Sequence, residues 1–166
     1  VPREISLRWS WFRVVSGALP RLSPPLRPDA DRLAVVEAIG DGTIDLIASG
    51  HDPRGPEDKR LPFADAEAGM AGAETLLAMT LTLVRDGVID LPRAFDLLAA
   101  TPARLLGVEA GILKPGLEAD LALIDPDKPW IVNSARMAAS AGNTPFDGQP
   151  TQGRVLALYK GGQAVG

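Results

Sequence analysis

Between Gly42 and Phe63 the chain reads GTIDLIASGHDPRGPEDKRLPF, an apolar stretch opening directly into a polar loop that holds the only histidine, His51. That order constrains the fold more than any other feature. Upstream, Asp29 or Asp31 can cap a helix whose apolar positions Leu33, Val36 and Ile39 recur every third residue, with Gly40 and Gly42 to stop it. A helix, then a short apolar strand ending at His51, then a loop of reactive residue types is the alternation of a parallel α/β sheet.

The rest of the chain divides by texture. Residues 1–16 alternate apolar and polar around Ile5, Leu7 and Trp9, as in a half-buried strand. LSPPLRP at 22–28 is read as a stiff, extended connector, because successive prolines lack amide donors and push their predecessors out of helical geometry. GAETLLAMTLTLVRDG predicts an amphipathic helix ending at Gly87. DLPRAFDLLAATPARLLG predicts two more helices, with Pro92 and Pro102 in first turns, Thr101 as a cap and Gly107 as the stop. From Gly111 onward the pattern changes to short strands punctuated by Pro and Gly, closing in a hairpin that turns at Gly161-Gly162. A domain boundary is expected near residue 112, between segments 1–112 and 113–166.

Composition narrows the function. A net charge of -4 and a pI near 5.0 argue against a nucleic-acid binder, which needs a clustered basic face. No cysteine is present, so disulfides and thiolate zinc sites are excluded, and the cytoplasm is the default compartment. Apolar runs break well before the roughly 20 residues that a bilayer span requires, so no membrane association is expected.

The end of a strand opening into a polar loop is where a (β/α) barrel carries its chemistry, which makes residues 47–59 the candidate site. His51, Asp52, Arg54, Glu57, Asp58 and Lys59 are its reactive members. A solvated charged loop is the plain alternative. Zinc takes three or four N, O or S donors, and neither Glu57 nor Asp58 has a histidine at ligand spacing, so a complete metal site within this loop is not expected. His51 is read as a structural loop histidine. In GNTPF, Asn143 is expected in a turn that tolerates an unusual backbone angle.

Seven ordered blocks, LSPPLRPDADR, GTIDLIASGHDP, EDKRLPF, GMAGAETLL, TPARLLG, GILKPGLEADLALIDPD and GNTPF, resemble the C-terminal part of a dihydroorotase of the amidohydrolase superfamily. The resemblance implies an α/β fold: the C-terminal part of a TIM-like (β/α)8 barrel over residues 1–112, with strands of a small β-sandwich over 113–166. It also implies zinc at the barrel mouth, activating hydroxide for attack on the cyclic amide of dihydroorotate to give carbamoyl aspartate, reversibly, in pyrimidine biosynthesis. The implied partners are that substrate pair, the N-terminal remainder of the same barrel and further copies of the chain.

Departures from the family pattern fall on the site. Where the family loop reads Asp-His-Ala-Pro-His, this chain has Gly50, His51, Asp52, Pro53 and Arg54. The ligand and proton-shuttle aspartate is replaced by Gly50, leaving Asp52 as the catalytic candidate. Arg54 stands for a substrate-contacting histidine, Ser23 for a substrate-contacting asparagine, and Glu4 for a metal-binding histidine. Ser23, Arg54 and His51 are thus the substrate-binding candidates, and Glu4 the metal candidate. Two readings follow: a working zinc dihydroorotase, or a non-catalytic dihydroorotase-like scaffold associating with aspartate transcarbamoylase.

Overall fold

The computed structural model describes residues 21–165. Glu4 and the strand expected over residues 1–16 lie outside them. Two compact units interleave along the sequence, one formed by residues up to 36, 49–76 and 131–150, the other by 37–48, 77–130 and 151 onward.

Helix α1 spans Asp29–Gly40 and ends at the expected glycine, but Asp29 and Asp31 lie within its first turn, paired with Arg32 and Arg27, rather than ahead of it as a cap. Its Ile39 is buried, whereas Leu33 is half exposed. The stretch after it is a difference from expectation. Residues 43–50 form no regular strand, and among the described residues the one pairing there is an isolated parallel bridge between His51 and Met70. Strand geometry is sustained by a hydrogen-bonded neighbour, and here the apolar residues are held by packing instead. Ile44 and Ile47 lie against a cluster of Ile39, Ile89, Ala94 and Leu97, and the Ile47 N–H donates to the Leu97 carbonyl at 3.0 Å.

The polar loop contains a helix that periodicity did not reveal, α2 (Pro56–Arg60). Its first turn suits a helix start: Pro56 needs no donor there, and the Asp58 carboxylate accepts the Gly55 N–H at 3.2 Å. A 3-10 turn at Ala73–Thr75 leads into α3 (Leu76–Arg85), which buries Ala78, Thr80 and Leu81.

The two helices expected after Asp90 are one continuous helical run. It comprises α4 (Leu91–Phe95), a π-helical stretch (Asp96–Ala100) and α5 (Thr101–Leu106). Thr101 is therefore not a cap: it sits in helical geometry and its N–H reaches Asp96, five residues back. Pro102 cannot donate to the turn before it, and the wide π stretch immediately upstream accommodates that break. Asp90 is the true cap, accepting the Arg93 N–H at 2.8 Å, and Gly107 ends the run in left-handed geometry.

The C-terminal third forms a three-stranded sheet of order β1-β2-β3, from β1 (Leu121–Ile131), β2 (Pro150–Lys160) and β3 (Gln163–Val165). β1 is longer than its prolines suggest. Among the described strands β1 lies at the edge of this sheet, the position in which prolines such as Pro126 and Pro129 are tolerated. The hairpin forms as expected: Lys160 pairs with Gln163 across Gly161-Gly162, both at positive φ. Toward the other end of β2, Trp130 donates its ring N–H to the Gly153 carbonyl at 3.0 Å, while Arg154 lies 5.3 Å from the ring centre. No described helix is long and apolar enough to cross a membrane.

Candidate functional site

Three segments of the first unit meet around residues 49–54. The middle one, 68–73, takes the Asp52 N–H on its Met70 carbonyl at 2.8 Å, and gives its Ala71 N–H to the Asn143 carbonyl at 3.0 Å. Asn143 does more than turn the chain. Its side-chain oxygen accepts the Arg54 N–H at 2.7 Å and its amide donates to the Gly69 carbonyl at 3.0 Å, so one side chain joins both other segments. Its backbone angle is ordinary, since no described residue other than glycine has a positive φ; the expected turn strain is replaced by this bridge.

Two glycines permit the close approach. Gly69 has φ +133, and a Cβ there would run into the Asp52 carbonyl oxygen and lie 2.9 Å from its carboxylate. A Cβ on Gly72 would stand 2.5 Å from the Ser49 carbonyl oxygen.

His51 is exposed, yet its ring is engaged. The Nδ1 atom accepts the backbone N–H groups of Gly72 at 3.2 Å and Ala73 at 3.1 Å, where the 3-10 turn begins. Amides at the start of a helical turn lack internal acceptors, and the imidazole supplies one. An accepting Nδ1 carries no proton, so this hydrogen-bond network assigns the ring proton to Nε2.

Asp52 and Arg54 pair with each other, Nη2 to carboxylate at 2.6 Å, and the Arg54 Nε donates to the Ala68 carbonyl at 2.9 Å. Lys59 is buried and donates to the Arg21 and Glu67 carbonyls at 3.0 and 2.8 Å. Burial, reinforced by the nearby charges of Arg54 and Arg21, holds its amine below the usual lysine range. Lys59 is thus a strut under the loop. Asp58 caps α2. Ser23 is exposed in the irregular stretch 21–28, two residues past Arg21, whose carbonyl also accepts the Gly69 N–H at 3.2 Å.

A metal centre does not assemble from these residues. Among the described residues no three His, Cys, Asp or Glu side chains group as a ligand set, whereas zinc takes at least three protein donors. The His51 Nδ1 is committed to backbone amides and the Asp52 carboxylate to Arg54.

Gly69, which the sequence did not single out, and Asn143, expected only as a turn residue, set the spacing of the site, and Glu74 accepts the Ala138 N–H at 2.7 Å. The signal available for them was the residue type alone: an asparagine able to donate and accept, beside glycines.

The model of the Amidohydrolase family matches residues 22–165. A dihydroorotase of Geobacter metallireducens is 42% identical over 145 residues, 87% of this chain and 34% of that protein. One of Aquifex aeolicus is 39% identical over 150 residues, covering 90% and 35%. The chain therefore spans about a third of the length of these curated relatives. Among solved structures, the L-hydantoinase (dihydropyrimidinase) from Arthrobacter aurescens matches with a TM-score of 0.87 at 28% identity, over 99% of this chain and 38% of that one. The dihydropyrimidinase from Brevibacillus agri gives 0.86 at 24% identity over the same shares, a likeness of fold.

Proposed function

Because this chain belongs to the amidohydrolase family, we propose that it is part of a dihydroorotase, opening and closing the cyclic amide between dihydroorotate and carbamoyl aspartate. The observation that carries this reading is the identity of 42% with a dihydroorotase over 145 residues, set against 28% or less with the hydantoinases and dihydropyrimidinases of similar fold. In this reading residues 1–112 contribute to a (β/α)8 barrel and 113–166 to a flanking β-sandwich. Family enzymes are generally metal-dependent, and zinc is the ion proposed. Its ligands would come from outside residues 21–165, Glu4 among them.

The substrate's carboxylate is the group this segment suits. A guanidinium has five N–H donors, of which Ala68 and Asp52 use two, and Arg54 is about one-third exposed, with a side-chain exposure of 35%. The Nε2–H of His51 and the Ser23 hydroxyl are the proposed polar contacts beside it. Asp52 is the proposed acid/base group: Asp52→Asn that folds but no longer turns over assigns it, and an unaffected variant removes it. The relatives' names lend no support to the non-catalytic scaffold. Self-association and binding to aspartate transcarbamoylase are proposals checked by light scattering with and without that enzyme.

The test is an assay of the whole protein containing this chain, with carbamoyl aspartate and dihydroorotate offered in turn. Interconversion in both directions is expected; none in either direction overturns the reading.

A further inference from the structure

We propose that Arg54 is the built-in cation of the 50–54 loop, so that this loop holds its shape through protein groups alone and donates no ligand to a metal ion. The inference does not rest on the reading above, since a metal held entirely by other residues would leave it intact.

Four observations carry it. The Arg54 guanidinium sits 2.6 Å from the Asp52 carboxylate, the distance of a charge-assisted hydrogen bond, and fills the place of that carboxylate's counter-ion. The same arginine is fixed at two further points, by Nε on the Ala68 carbonyl and by its backbone N–H on Asn143. Gly69 closes over Asp52 so nearly that even a methyl group would collide, which limits approach from that side. Next in sequence, the His51 Nδ1 is turned into the chain, onto the Gly72 and Ala73 amides. In both side chains of the loop that could bind a metal, one ligating atom therefore meets a protein donor: Asp52 Oδ2 the Arg54 guanidinium, and His51 Nδ1 the backbone amides. Each additional tie makes the arrangement more specific than an exposed ion pair, which salt and side-chain entropy weaken.

The experiment uses the whole protein and two readouts independent of turnover. Bound metal per chain, by plasma mass spectrometry after dialysis against zinc, is compared for the wild type, His51→Ala and Asp52→Asn. A double-mutant cycle in urea pairs Asp52→Asn with Arg54→Met, with Arg54→Lys retaining charge in case the Met variant fails to fold. The inference expects the same metal content in all three proteins and destabilisation by the two substitutions that is less than additive. Loss of a metal ion from either single variant overturns it, as does strict additivity in the cycle.

Discussion

The side-chain oxygen of Asn143 accepts the backbone N–H of Arg54 at 2.7 Å across 89 positions of sequence, while its amide holds the Gly69 carbonyl. One residue thereby sets the distance between the 50–54 loop and the segment that closes over it.

Removing that bridge leaves a donor and an acceptor in a partly buried place. Asn143→Ala is expected to cost about 1–3 kcal/mol, read as a lowered urea midpoint. Asn143→Asp keeps the acceptor for Arg54 but sets a carboxylate against the Gly69 carbonyl, so it recovers only part of the loss.

His51 acts through Nδ1, and the side-chain oxygen of asparagine can occupy nearly the same position. His51→Asn is expected to retain more stability than His51→Ala, whose loss is about 1 kcal/mol. Long-range 15N–1H correlation spectra are expected to show the Nε2–H tautomer; a proton on Nδ1 contradicts the described contacts.

Glycine is required at 69 by both backbone angle and space. Gly69→Ala is expected to destabilise on the order of 3 kcal/mol, combining strain at positive φ with the collision at Asp52. Gly42→Ala also meets a positive φ but no atom within 4 Å, and is expected to cost about 1 kcal/mol. Thermal unfolding of the two variants separates strain from crowding.

Lys59 gives a pH signature. Its folded-state pKa lies below 10.5, first through burial and then through Arg54 and Arg21. Between that lowered value and 10.5 the unfolded chain binds the proton that the folded chain has released, so this group's contribution to stability improves as pH rises. Lys160, raised by its bond to Asp120, works in the opposite sense. Comparison with Lys59→Met isolates Lys59: the wild type is expected to gain stability on the variant as pH rises through that window. At neutral pH the variant loses about 1–3 kcal/mol, because two carbonyls are left without a donor.

Local chemistry made part of this legible from sequence. The glycine stop of α1, Gly107 at the end of the helical run and the Gly161-Gly162 hairpin are each set by residues within a turn of one another. The loop around His51 was also located, by a strand-like apolar stretch opening into polar residues. What escaped depends on distance in sequence. The 43–50 stretch has strand composition, but its structure depends on which segment lies alongside, and among the described residues only the bridge of His51 to Met70 forms. The pairing of Arg54 with Asp52 and the reach of Asn143 to both sides require the fold before they can be seen. Thr101 failed as a cap because Pro102 can enter a helix through a π stretch as well as begin one.

The most direct measurement is the ratio of kcat/KM for dihydroorotate to that for hydantoin, on the whole protein containing this chain. A clear preference for the carboxylate-bearing ring is expected, diminished in Arg54→Met. Equal or greater efficiency with hydantoin, or turnover of neither, would contradict it.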